Sequence, residues 1–167
     1  MKIAHLTTVD MSLRYLLYPQ LAAAKEAGEV VGISAPGPHA EWLEAHGIRH
    51  VPLHASTRGM NLLADVRAVW QLWKILREEK PDLLHTHNPK PGVYGRIVGR
   101  LAGVPIVMNT VHGLYATPES RPLKRIVVYA LEFVASRFSD IELIQNPEDL
   151  DLLQRRRITS AKKLRLL

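Results

Sequence analysis

Hydrophobic and polar positions along the chain follow two rhythms that take turns. Residues 2–8 are a short apolar run ending in threonines, which predicts a buried strand. Residues 13–27 then carry Leu13, Leu16, Leu17, Leu21 and Ala24 at helical spacing, up to Gly28. Val30, Val31 and Ile33 mark a second strand over 29–34, residues 38–46 a short helix stopped by Gly47, and residues 48–53 a third strand. The longest periodic segment is 60–79. Leu62, Leu63, Val66, Val69, Trp70, Trp73 and Leu76 recur at three- and four-residue steps, with Asp65, Arg67, Gln71, Lys74 and Glu78 opposite. That predicts a helix with both tryptophans in the core, capped by Asn61 and ended near Lys80 by Pro81. Strand, helix and strand follow over 82–86, 92–102 and 105–111, then a helix over 122–138 and a strand over 141–145. Asn146 caps a last helix with Pro147 at its first position, running to about residue 156. No internal repeat or low-complexity tract interrupts the order.

Strands separated by helices imply parallel pairing with helices on both faces. The expected fold class is α/β: a Rossmann-like, doubly wound parallel sheet of about six strands in a single domain over residues 1–167. Ligands of such sheets lie beyond the carboxyl ends of the strands. His87 and His112 follow the fourth and fifth strands, so both are expected at one crevice, together with the turn from Thr8 to Arg14.

Composition narrows the class. With 47% apolar and 23% charged residues the chain has the balance of a folded protein. It has no cysteine, which excludes a disulfide scaffold, a thiolate metal site and a cysteine nucleophile. The opening MKIAHLTTVD is too short and polar for a signal peptide, and no stretch approaches the roughly 20 apolar residues of a membrane span. A cytoplasmic location is the expectation. The net charge of +6 suits an anionic partner. Residues 123–138 are apolar around most of the helix and carry Arg121, Lys124, Arg125 and Arg137 at its ends. Burial in the core is the expected role, with an anionic membrane surface as the alternative.

Candidate chemistry sits at the strand ends. The first turn, TTVDMSLR, lacks the G-x-G-x-x-G of a dinucleotide-binding turn. Ser12 is positioned to cap the first helix, whose amides would face an anion, with Arg14 adding charge beside them. In His87-Asn88-Pro89-Lys90-Pro91-Gly92 two prolines stiffen a loop that holds Lys90 at a helix entrance, suited to a phosphate. Gly95 and Gly99 share one face of that helix and permit close packing on the sheet. Gly113 frees the backbone beside His112, which could then donate a hydrogen bond to a substrate hydroxyl or a developing charge. His85 and His87, two apart on a strand, are expected to point to opposite faces, so no metal site is predicted. No Ser-His-Asp order, P-loop or H-E-x-x-H is present.

The blocks KIAHLTTVDMSLRYLLYPQL, PDLLHTHNPKPGVYGRIVGRLAGVP, TVHGLY and SDIELIQNPEDLDLL together resemble the N-terminal, acceptor-side domain of glycosyltransferase family 4, a retaining family of the GT-B fold, in its bacterial glycan-biosynthesis form. The resemblance runs through nearly the whole chain. It implies one half of a two-domain enzyme that transfers a hexosyl group from a nucleotide diphosphate sugar, UDP- or GDP-linked, to a glycan or lipid-linked acceptor, with no cofactor and no metal. It implies that His112 lines the cleft near the transferred sugar, and that Asp10, Ser12 and Arg14 approach the donor diphosphate. Lys90, with His87, Asn88 and Gly113, completes the implied substrate-binding set. Relatives carry a glycine pair in the first turn, which this chain lacks. The donor-binding domain, with its two glutamates eight apart, is expected beyond KKLRLL, as a further domain or a partner subunit. Alone the chain is expected to be inactive or nearly so. The rival readings are half of a GT-B-type nucleotide-sugar epimerase, and a non-catalytic Rossmann-like binding module. A nucleic-acid partner is not expected: aromatic residues are 6% of the chain and the strands read as apolar on both sides.

Overall fold

The computed structural model describes residues 1–167 except Arg58, Met60 and Asn88. Strands β1 (Lys2–Val9), β2 (Glu29–Ala35), β3 (Arg49–Pro52), β4 (Leu83–His87), β5 (Ile106–Val111), β6 (Ile141–Ile144) and β7 (Leu164–Leu166) form one parallel sheet. Among the described residues it has seven strands, one more than expected, in the order β3-β2-β1-β4-β5-β6-β7. The extra strand is the C-terminal Leu164–Leu166. The chain winds outward from β1 to β3, returns to the other side of β1, and winds on through β4 to β7. The direction reverses between β1 and β4, where doubly wound sheets open a crevice.

Helices α1 (Asp10–Tyr15), α2 (Tyr18–Ala24) and α3 (Ala40–Ala45) cover one face of β1–β3. Leu13, Leu17, Leu21 and Leu43 pack there with Val30 and Ile48. Helices α4 (Leu62–Glu79) and α5 (Lys90–Leu101) cover the opposite face, where Leu72, Ile75, Leu76 and Val98 meet Ala4, Leu6, Val31, Ile33, Leu84 and Val107. Helix α6 (Pro122–Ala135) packs beside α5. Helix α7 (Pro147–Arg155) closes a third cluster against β6 and β7, with Leu153, Ile158, Ile144 and Leu164. Gly95 and Gly99 let α5 lie close on the sheet: a Cβ at Gly95 would come within 2.6 Å of Leu6, and one at Gly99 within 2.6 Å of Leu84.

Several expectations about local structure are corrected. The single helix over 13–27 is two short helices, α1 and α2, followed by a 3-10 turn over Lys25–Ala27; Pro19 fits only the first turn of α2, so the break falls before it. Val9, not Ser12, occupies the cap position of α1. Helix α5 starts at Lys90 rather than 92, because Pro91 is tolerated in a first turn. Helix α4 keeps its expected ends: the Asn61 side chain accepts from the Ala64 amide, and Lys80 stops the helix in the left-handed region at φ 47°. Its phase is different. Ala68, Leu72, Ile75 and Leu76 are buried, while Leu62, Leu63, Val66, Val69 and Trp70 face outward and Trp73 is half-buried against the core. Helix α6 is likewise not a core helix; only Glu132 and Ala135 are buried in it. Nor are the central strands apolar on both sides. His5, His85, Thr86, His87, Asn109 and Thr110 are all buried in them.

Candidate active-site rim

The parallel register aligns His5 of β1 with His85 of β4, and His87 with Thr110 of β5. Side chains two apart on a strand share a face. His85 and His87 therefore point the same way, with ring centroids 4.3 Å apart, and the expectation of opposite faces is wrong. They lie on the face away from α4 and α5, since the alternating residues Leu84 and Leu6 belong to the core beneath those helices.

Four side chains form a continuous line from the sheet interior to its carboxyl rim. His5 Nδ1 is 3.2 Å from His87 Nε2, His87 Nδ1 is 3.0 Å from His112 Nε2, and His112 Nδ1 is 3.0 Å from Gln145 Oε1. An amide oxygen only accepts. With Gln145 Oε1 as the terminal acceptor, each tautomer follows: His112 carries its proton on Nδ1, His87 on Nδ1 and His5 on Nδ1, and every N–H in the line points outward. His85 sits beside the line, with Nε2 2.7 Å from Thr110 Oγ1. Burial holds the imidazoles neutral: the pKa of His5 is lowered to about 4, and those of His85 and His87 fall well below the usual value. The outer side of His112 is exposed. Its pKa is also lowered, because its inner edge is desolvated, with the Gln145 hydrogen bond acting against that.

His5, His85 and His87 present ring nitrogens within 4.8 Å of one another, and are the one grouping among the described residues placed to share a metal ion.

The other expected site residues follow the carboxyl ends of the neighbouring strands β1, β4 and β5, yet their head groups part company. Asp10 opens α1, is buried, and accepts hydrogen bonds from the amides of Met11 at 2.8 Å and His39 at 2.7 Å. Its carboxylate thus clamps the β2–α3 loop to β1. Ser12 lies inside α1, and its carbonyl accepts from Leu16 and Leu17. Arg14 is in the last turn of α1, not beside its amino end; it lies 3.2 Å from His39 Nδ1 and stacks over Trp42 at 4.5 Å. Lys90 pairs with Asp65 of α4 and donates to the carbonyls of Thr57 and Gly59, which ties the β3–α4 loop to α5. Gly113 has φ 136°, a conformation that favours glycine, and space alone would admit a side chain there. Asn88 lies outside the described residues. The structure thus joins His87 to His112 and gives Arg14 and Lys90 partners within the fold. Sequence reasoning missed His5, Thr110 and Gln145. Correct alternation across HTH, with strand order β1-β4-β5 assumed, would have found the first two.

A second polar network lies on the opposite face of the same strands. Arg96 of α5 is fully buried and bonds Glu142 of β6 at 2.7 Å and Glu132 of α6 at 2.6 Å. Asn109 donates to the other oxygen of Glu142 at 2.8 Å, and Thr86 donates to Asn109 at 2.9 Å. Burial lowers the arginine's pKa, and the two carboxylates more than offset that, so the net shift is upward.

The comparisons agree with the fold. The sequence profile of the family described as "Glycosyl transferase 4-like domain" matches residues 15–164. The UDP-Gal:alpha-D-GlcNAc-diphosphoundecaprenol alpha-1,3-galactosyltransferase of Escherichia coli is 34% identical over 116 residues, covering 70% of this chain and 30% of that protein. A glycosyltransferase from Rickettsia africae superposes with a TM-score of 0.71 at 14% identity, covering 99% of this chain and 42% of that one. A UDP-N-acetylglucosamine 2-epimerase superposes equally well, at 0.71 and 11% identity, over 99% of this chain and 47% of that one. The chain therefore spans less than half the length of each of these proteins. At such identities the superpositions speak for the fold alone, whereas the sequence match separates the families: this chain belongs to the glycosyltransferase 4-like family, as an N-terminal domain of the GT-B fold.

Proposed function

We propose that this chain is the acceptor-side half of a retaining glycosyltransferase, which moves a hexosyl group from a UDP- or GDP-sugar to a glycan or lipid-linked acceptor. The observation that carries the reading is the outward-directed line His5–His87–His112–Gln145. Aligned N–H groups polarise one another, so the last donor, His112 Nδ1, is strengthened toward an oxygen at the rim. Gln145 is exposed and yields its place readily to a sugar hydroxyl. His112 then donates to that hydroxyl and fixes the sugar as the acceptor attacks the anomeric carbon. Because the ring is neutral, it orients the sugar without binding the donor's negative charge. The leaving diphosphate is balanced by basic groups and helix N-termini, chiefly of the donor-binding domain, with no metal required. The acceptor named for the Escherichia coli relative, a GlcNAc-diphosphoundecaprenol, is lipid-linked. An acceptor of that kind places the enzyme on the cytoplasmic face of the membrane as a peripheral protein.

The test joins this chain to a donor-binding domain and supplies UDP- and GDP-sugars with that lipid acceptor. Transfer with retention at the anomeric carbon, undiminished by EDTA, is the expected result. Interconversion of the nucleotide sugar without any acceptor would establish the epimerase reading instead. His112→Ala should lower turnover about 100-fold with the fold intact, the low end of what a positioned proton donor contributes.

A further inference from the structure

Helix α6 is built inside out. Leu123, Ile126, Val127, Leu131 and Val134 are 74, 67, 48, 47 and 50% exposed. These positions recur at three- and four-residue steps, so they form one stripe along the helix. A surface helix ordinarily turns such a stripe to the core. Here the inward position is taken by Glu132, held by the fully buried Arg96. That ion pair fixes the rotation of the helix and keeps its apolar stripe in solvent.

The surroundings of the stripe are cationic. Arg121, Lys124 and Arg125 stand at its amino end and Arg137 just past its carboxyl end, and between Arg121 and Arg137 the one acidic residue is the buried Glu132. Tyr115, 61% exposed, lies beside them with its ring 4.3 Å from Lys124 Nζ. Helix α4 lies on the other side of α5, on the same face of the sheet, and repeats the arrangement. Its Leu62, Leu63, Val66 and Trp70 face outward, and Lys74 Nζ lies 5.3 Å from the Trp70 ring. Exposed acids stand only outside the stripe, Glu119 before Arg121 and Asp140 after Arg137, and Asp65 of α4 is paired with Lys90. An apolar stripe, amphipathic aromatic rings and flanking cations together match the depth profile of an anionic bilayer surface: acyl chains, interface and phosphates. A protein groove would ask for shape; a bilayer asks only for this layering.

We propose that α6, with the amino-terminal half of α4, docks this chain on an anionic bilayer, its apolar stripe below the headgroups and its cations among the phosphates. The need for such docking rests on the lipid-linked acceptor proposed above. The docking itself is read without any turnover, so the two fail separately. Vesicle flotation of this chain, with phosphatidylcholine–phosphatidylglycerol vesicles against pure phosphatidylcholine, measures it.

Binding to the anionic vesicles, at least tenfold weaker on the neutral ones and weakened by salt, is expected. Arg121→Gln, Lys124→Gln and Arg125→Gln should each reduce binding about fivefold. Leu123→Glu with Ile126→Glu should abolish it. All of these positions are at the surface or near it, so unchanged circular dichroism is expected throughout and separates lost docking from lost folding. No flotation with anionic vesicles would overturn the proposal. So would equal binding to neutral vesicles, or self-association through the stripe that leaves the protein indifferent to lipid. Transfer to a water-soluble acceptor alongside absent vesicle binding would sink the docking and leave the transferase reading standing. Vesicle binding with no transfer would do the reverse.

Discussion

The two faces of strands β4–β6 bury polar networks of opposite character. On one, Arg96 pairs with both Glu132 and Glu142 where α5, α6 and β6 meet. On the other, His5, His87 and His112 stay neutral and lead to Gln145 at the rim. A buried ion pair of opposite charges must be complete, because removing one partner strands the other in low dielectric. A line of neutral imidazoles needs no counter-charge and tolerates an open end, provided its tautomers agree. The charged network is suited to fixing the relative placement of helices. The neutral one is suited to meeting an uncharged hydroxyl at its end.

This contrast is open to direct attack. The largest effect should come from Arg96→Met, which leaves two buried carboxylates unpaired; a loss of about 3–5 kcal/mol is expected in urea unfolding. Next is acid. His5 in the folded chain binds its proton only near pH 4, against about 6.5 when unfolded, so between those values the unfolded state holds more protons. Its stabilisation is complete above pH 6.5 and is lost as pH falls toward 4. His5 alone accounts for about 3 kcal/mol over that window, and His85 and His87 shift in the same direction. The melting temperature should therefore fall steadily from pH 6.5 to 4 in the wild type. In His5→Gln that fall should shrink; an unchanged pH dependence would show that the line titrates as ordinary histidine. A smaller change is expected from Gln145→Glu. Its carboxylate would raise the pKa of His112 and move the acid limb of turnover to higher pH in the joined enzyme, while Gln145→Leu would reduce turnover without that displacement. Thr110→Val should cost least, about 1 kcal/mol for one hydrogen bond to His85, with turnover preserved.

Where sequence and structure agree, the cause is local. The Asn61 and Asn146 caps, the stop at Lys80 before Pro81 and the close packing at Gly95 and Gly99 depend on a few neighbouring residues, and all were legible. Where they disagree, the cause lies at a distance. The apolar residues of α4 and α6 satisfy helical periodicity whichever way the stripe faces. The direction is set by Arg96, Leu72 and Leu76, whose partners are on other elements. The histidine line has the same character. Its members are 82, 25 and 33 residues apart along the chain, and only strand order and register bring them together. Arg14 and Lys90 were legible as cations at strand ends, but not as groups already engaged by His39 and Asp65. The family resemblance, by contrast, needed only the linear blocks around HTHNPKPG and TVHG, and the profile match over residues 15–164 bears it out.

The sheet's two outermost strands carry a consequence for crowding. A bare margin of backbone invites another molecule to add a strand. Here β3 has four residues, including Pro52, which offers no amide hydrogen, and Arg49, anchored to Glu29 and Glu79. On the far side β7 has three, with Arg165 projecting from the middle. The β3 margin is thus too brief and too interrupted to template fibrous stacking.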